Sequence, residues 1–366
     1  MGGFGEIFRL TTFWTALGCF IPAACSEGPD GPSFVLAHLG SSAPLPISGN
    51  NKLAVAGPDF ACLFDSYEKQ LACGDLTWSD TLRFGRSGRG PGELGDYGTL
   101  VTTSKGRVGF VDLPNDRISV FSRQGYAGQL PLPNLLSPAS DVSALGTYAG
   151  YESIPTQRAG GITLQELHAE SAEVIRNLRL SIKGTGADGE QVMVTGATRL
   201  RNGDFIVRIA VDLSQQLLHY AADGSFLGEL RMPELPTQLP DARDIEIFRE
   251  GMALFPQGPA VDRAVQRYSN QQMLRLPRNN LFRAVQMDPM GRVLVLTTAR
   301  SPNGTYVEAY SGLEFVGRAH LRGRVLAIQV VDSILVSLSE EMPTEDFIPR
   351  QRLDWYGFGS SPSEGH

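Results

Sequence analysis

The sequence predicts an all-β propeller, and three observations predict it. A turn glycine followed by an apolar strand recurs at Lys105–Val111, Asn202–Val207 and Met290–Val295. Its glycines, Gly106, Gly203 and Gly291, stand 97 and 88 residues apart, which suits two units of roughly 45 residues each, the propeller scale. Gly125, Gly224 and Gly312 end the third strand of the same three units, at separations of 99 and 88. Between these markers apolar and polar residues alternate with the period of a pleated sheet, and no segment sustains a 3.6-residue apolar period.

Residues 1–25 read as a targeting signal rather than as fold. Arg9 precedes an apolar run from Leu10 to Ala24 that is too short for a membrane span. Ala23 and Ala24 stand directly before Cys25, and polar residues follow it, as in a bacterial lipoprotein signal with Cys25 acylated. Pro22 departs from that pattern where leucine is usual, and Cys19 is a second candidate. Ordinary cleavage near residue 25, releasing a soluble protein, is the alternative. Residues 26–32 form a polar linker, 33–358 a single propeller domain, and 359–366 a disordered tail.

Within the domain the strand Ser33–His38 is expected to supply the outer strand of the last blade. Closing the ring this way removes the open edges that invite aggregation. The units then run Lys52–Arg86, the stretch around Gly106, Asp141–Leu180, the stretch around Gly203, Asp244–Pro277, the stretch around Gly291, and Arg324–Phe358. That count favours seven blades, with six as the close alternative. In the fifth unit Ile245–Phe248, Met252–Phe255 and Met273–Leu276 read as strands. Gln165–Asn177 is compatible with a helix, but its neighbours favour strand.

Cys62 and Cys73 are the cysteines left after the signal. They flank a hairpin turning near Ser66–Lys69, so they sit opposite each other on adjacent strands and are expected to pair in an oxidising compartment. Two buried free thiols are the alternative. Hydrophobic residues make up 42% of the chain and charged residues 19%, which is globular. The formal charge of −7 argues against nucleic acid as a partner.

The Gly-rich stretch Gly85–Glu93 suggests a phosphate cradle, because successive backbone N–H groups can bind an anion. It lacks the Gly-Lys-Ser/Thr and the following helix of a P-loop, and Pro91 removes a donor. A sharp crossover between blades is the better reading, with Arg86, Arg89 and Glu93 either pinning it or forming a binding rim. Asp112 and Arg117 bracket the turn Leu113–Asp116 and are expected to hydrogen-bond backbone there, with rim contact as the second role. His38, His168, His219, His320 and His366 are scattered, and no HExxH, GxSxG or local metal cluster exists. Tyr67, Tyr126, Tyr148, Tyr151, Trp355 and Tyr356 fall near turns or strand ends, where aromatics fill the wedge between blades or stack on a ligand.

Two motifs, FGRSGRGPGEL at Phe84–Leu94 and GFVDLPNDRISVFSRQG at Gly109–Gly125, carry a family resemblance. The chain resembles NHL-type and TolB-like β-propellers, and in particular exported bacterial proteins described as six-bladed β-propellers. The resemblance is specific over these motifs and compositional elsewhere. It implies a propeller at the bacterial envelope and brings no catalytic residue; it departs from the count of seven units, since that family has six.

The functional expectation is an exported, lipid-anchored binding or scaffolding module, on the periplasmic side of the outer membrane or at the cell surface. Its expected partner is an envelope protein, peptide or glycan, with no cofactor, no metal and no catalytic residue. The alternative is a lactonase-like hydrolase or a lyase that gathers a divalent metal in the central channel. Converging carboxylates or histidines at a channel mouth favour the enzyme; apolar or arginine plugs favour the binder.

Overall fold

The computed structural model describes residues 34–45, 52–96, 98–103, 106–132, 151–153, 161–167, 171, 173–182, 192–211, 214–233, 239–252, 258–270, 284–301, 304–341 and 350–359. The signal, Cys25, the linker and the tail beyond Gly359 lie outside them, as do Tyr148, His168 and His366.

The chain is an all-β propeller. It opens with β1 (Leu36–Ser41) and continues through six antiparallel sheets. The first contains β2 (Leu53–Gly57), β3 (Phe60–Asp65), β4 (Gln70–Gly74) and β5 (Leu82–Phe84). The second contains β6 (Thr99–Thr102), β7 (Val108–Asp112), β8 (Arg117–Ser122) and β9 (Gly125–Pro131). The third has three described strands, β10 (Tyr151–Ser153), β11 (Gly161–Leu167) and β12 (Val174–Ser181). The fourth contains β13 (Val192–Arg199), β14 (Phe205–Val211), β15 (Ser214–Tyr220) and β16 (Phe226–Glu229). Two helices, α1 (Ala242–Met252) and α2 (Pro259–Ser269), separate it from the fifth sheet, β17 (Val285–Met287), β18 (Val293–Ser301), β19 (Gly304–Ser311) and β20 (Glu314–Arg322). The sixth is β21 (Arg324–Val331), β22 (Ile334–Glu341) and β23 (Arg350–Phe358), with β1 paired outside β23. That pairing puts Leu36 opposite Phe358 and Ser41 opposite Asp354, three residues later than the strand expected at Ser33–His38.

Packing runs from sheet to sheet. Cys62, Phe64 and Leu71 of the first sheet meet Phe110 and Phe121 of the second, with the rings of Phe64 and Phe110 4.6 Å apart. The third sheet packs on the fourth through Leu164 and Leu180, the fourth on the fifth, and the fifth on the sixth. Leu53, Leu63 and Trp78 of the first sheet then pack on Val336, Leu338 and Leu353 of the sixth, so the last sheet returns to the first. Burying each such Leu or Phe side chain contributes about 1.5–3 kcal/mol. The leading strands β2, β6, β17 and β21 contact one another at the axis.

Turns that join first to second and third to fourth strands lie at one end of the ring, hereafter the turn end. The crossovers between sheets, and the turns from second to third strand, lie at the crossover end. The repeated glycines sit in turns of the turn end, and all have positive φ, including Gly203 at +96° and Gly291 at +80°. A Cβ is strained in that region, which explains why the marker recurs.

The unit expected at Asp244–Pro277 is helical in its described part: α1 stands where the strand Ile245–Phe248 was expected, and α2 follows it. Residues 253–257 and 271–283, which hold most of the strands expected at Met252–Phe255 and Met273–Leu276, lie outside the described residues. Six sheets, not seven, are present among the described residues. Side chains explain the helices. Asp241 Oδ1 accepts the Asp244 N–H while Asp244 Oδ2 accepts the Asp241 N–H, a reciprocal cap at the start of α1. Pro259 opens α2, whose Val261 and Val265 are buried four residues apart, and Phe248 stacks on Tyr268 at 4.3 Å. No helix among the described residues is long and apolar enough to cross a membrane.

Candidate functional site

The five residues singled out on the crossover come together at the crossover end between the first and second sheets. Arg86 donates from Nε to Glu93 Oε1 at 2.8 Å, and its Nη2 lies 2.8 Å from the same oxygen. Glu93 Oε2 accepts the Gly90 N–H at 2.6 Å. The loop thus does bind an anion, and the anion is its own glutamate. These contacts hold the Glu93 carboxyl below its ordinary range, the Gly90 N–H first and Arg86 next. A Cβ at Gly88, whose φ is +152°, would collide with that carboxylate.

Arg117 lies under the loop. It donates from Nη1 to Arg89 O at 2.6 Å and from Nη2 to Glu93 O at 2.8 Å, while its Nε sits 3.5 Å from Asp112 Oδ2. Asp112 is fully buried, and the same Oδ2 accepts the Gly95 N–H at 3.1 Å and Asn115 Nδ2 at 2.8 Å. Asn115 also donates to Gly88 O at 3.2 Å. Asp112 and Arg117 are therefore the foundation of the crossover, whereas Arg86 and Arg89 face solvent. Asn115 went unnoticed in the sequence, although its place in the turn Leu113–Asp116 was the available signal.

The hairpin of β3 and β4 borders this loop. Cys62 and Cys73 are directly opposed, with Cα atoms 4.1 Å apart and their sulfurs bonded. At its tip the buried Asp65 accepts the N–H groups of Tyr67 and Glu68 at 3.0 and 3.1 Å. Tyr67 is 87% exposed, the most exposed large apolar side chain among the described residues. Lys69 ties the tip to the crossover through Asp96 O at 3.3 Å. Tyr356, by contrast, is buried, and its hydroxyl accepts the Arg322 N–H. Trp355 packs against Gly40, and Tyr126 against Gly92 of the crossover.

The axis is stapled onto β21. Gln329 exchanges two hydrogen bonds with Val55 of the first sheet, accepting its N–H at 2.9 Å and donating to its carbonyl at 2.8 Å. Gln286 of the fifth sheet accepts the Val330 N–H at 3.2 Å. Arg201, in a turn of the fourth sheet, reaches past the fifth to Val330 O at 3.0 Å and Asp332 O at 3.1 Å. This guanidinium crosses the axis at the turn end. At the crossover end, Arg324 begins β21 and pairs with Asp244 of α1 at 2.5 Å, with Glu340 at 3.9 Å. Nothing in the sequence marked these residues, because 131 positions separate Arg201 from Asp332.

The described histidines, His38, His219 and His320, lie in different sheets. His38 lies 3.1 Å from Ser41 Oγ and 3.5 Å from the buried Asp354, on one side of its ring, so the three do not form a nucleophile–base relay. His219 meets Asp204 at 3.1 Å in a turn-end pair. Among the described residues no three His, Cys, Asp or Glu side chains gather as a metal site.

No family model matches the chain, and no curated protein matches its sequence. Solved structures overlay on it at low identity. A member of the DUF4221 family from Bacteroides vulgatus is 10% identical over 90% of this chain and 99% of that one, with a TM-score of 0.48. A protein of unknown function from Bacteroides thetaiotaomicron is 9% identical over 89% and 73%, with a TM-score of 0.42. A catalytically inactive virginiamycin B lyase from Staphylococcus aureus, solved with quinupristin, is 10% identical over 89% and 100%, with a TM-score of 0.37.

Proposed function

We propose that the protein is an exported, lipid-anchored propeller of six blades, of the NHL/TolB-like kind, that works as a binding or scaffolding module at the bacterial cell envelope. The observation that carries this reading is the stapled axis: Arg201 strapped across the turn end, with Gln329 and Gln286 joining the inner strands. An axis spent on holding sheets together leaves contact to the rims. The crossover end is the contact surface. Its loop is exposed yet fixed by buried Arg117 and Asp112, and a pre-organised surface loses little freedom on binding. Tyr67 and the exposed Arg86 and Arg89 are residue types that dominate protein interfaces. The Cys62–Cys73 pair suits an oxidising compartment, and Cys25 is the acylated residue of this reading.

A photo-crosslinking residue in place of Arg89, compared with one in place of Asp223 at the turn end, tests the surface in intact cells. The expected result is a discrete protein adduct from position 89 alone. Equal adducts from both positions, or none from position 89, would overturn it.

A further inference from the structure

Among the described residues, exposed apolar side chains are more numerous at the turn end than at the crossover end, where Tyr67 and Leu239 stand exposed, and the difference bears on how the protein meets the membrane. At the turn end the outer strands of three consecutive sheets begin with exposed apolar side chains. Val174 and Ile175 open β12, Phe226 and Leu227 open β16, and Phe315 follows the first residue of β20. Ile175 is 58% exposed and Leu227 47%; Met290, in the first turn of the fifth sheet, is 55% exposed. Arg176 donates to Ala222 O, which places the start of β12 beside the last turn of the fourth sheet. Arg201 links the turn ends of the fourth and sixth sheets.

The path of the chain points the same way. Leu36 pairs with Phe358, and Gly357 pairs with Ile334 beside the turn of β21 and β22. The chain therefore enters β1 at the turn end. Cys25 precedes Phe34 by 9 residues, a tether of at most about 30 Å when fully extended. With Cys25 acylated as proposed above, a tether of this length limits how far the entry to β1 stands from the bilayer, within reach of which apolar rim side chains would enter the interfacial zone.

We propose that the turn end is a membrane-docking face, with a phospholipid bilayer surface as its occupant, so that the crossover end points away from the membrane. This rests on the acylation of Cys25 proposed above. The test uses the full chain, processed in cells and reconstituted into phosphatidylethanolamine–phosphatidylglycerol vesicles that carry lipid-bound quenchers. Fluorophores are placed through Leu227→Cys, Ile175→Cys and Arg89→Cys, after the mass of the N-terminal peptide has been read. Labels at 227 and 175 are expected to be quenched about twofold or more above that at 89, in keeping with shallow interfacial insertion. Leu227→Glu, with the label at 175, is expected to reduce that quenching.

An acylated protein quenched equally at all three positions, or more at 89, overturns the orientation alone. An N-terminal peptide without lipid overturns the anchor reading instead. Cross-links between two copies through Leu227→Cys, without lipid quenching, assign the face to a second copy and also overturn the proposal.

Discussion

Arg117 does more for the crossover than any other single side chain, because one guanidinium holds two loop carbonyls and faces a fully buried carboxylate. Arg117→Ala leaves Asp112 without its cation, so a loss of about 3 kcal/mol is expected from chemical denaturation. Arg117→Lys is expected to recover little of it, since an ammonium lacks the planar fork that spans both carbonyls. Glu93 gives the loop a pH dependence. Its folded-state carboxyl lies below the ordinary value near 4.5, so its contribution is present above that value and is lost as pH falls through the lower one. The protection of the Gly90 amide, its exchange rate relative to the intrinsic rate at the same pH, is therefore expected to fall on acidification in the native protein and to be low at every pH in Glu93→Gln. Sequence alone assigned Asp112 and Arg117 to backbone hydrogen bonds about their own turn and left Arg86, Arg89 and Glu93 open between pinning the crossover and forming a rim. It did not show that Arg117 and Asp112 reach the crossover loop. That depends on which side chain lies beneath the loop, and spacing carries no such information.

Among the elements, the β3–β4 hairpin was the most legible. Two cysteines around a ten-residue stretch with a polar turn define both the strands and their register. Cys62→Ser with Cys73→Ser is expected to lower stability by about 2–3 kcal/mol, seen as a lower Tm, through the freedom returned to the unfolded loop. The glycine markers were legible for a related reason. Gly203→Ala is expected to cost about 1 kcal/mol, read from the denaturation midpoint, because φ of +96° suits no residue with a Cβ. The segment after β16 was misread. Ile245, Glu246, Ile247 and Phe248 fit a strand's alternation, and they equally fit a helix whose buried Asp244 and half-buried Ile245 and Phe248 share one side. Four residues cannot decide between the two periods. The deciding contacts are the reciprocal cap of Asp241 and Asp244 and the stack of Phe248 on Tyr268, one local but unsought and the other 20 residues away.

For the whole molecule, burial sets an alkaline limit. Desolvation pushes the hydroxyls of Tyr220 and Tyr356 up from 10.0 to about 12. Both must stay neutral in the fold, so the stability they supply is complete below pH 10 and declines as pH rises toward 12. A fall in Tm across that window is expected, reduced in Tyr220→Phe. Arg201→Ala is expected to cost about 1 kcal/mol in denaturant and to speed amide exchange in the turn of β21 and β22, where Asp332 lies. Repeats made the ring legible because each unit states its own strands. The staples at the axis were not, since glutamines and an arginine that bind backbone far away look like ordinary polar residues.

The strand β1 has a consequence for the order of events as the polypeptide is made. Ser41 meets Asp354 across 313 positions, and Val55 meets Gln329 across 274. The strand β1 therefore waits for nearly all the others before it finds its partner, and the first sheet, though its own strands pair at once, waits as long for its neighbour on the β2 side. Until then the sticky flank of the first sheet stays wet, a long interval in which a holding chaperone has something to grip.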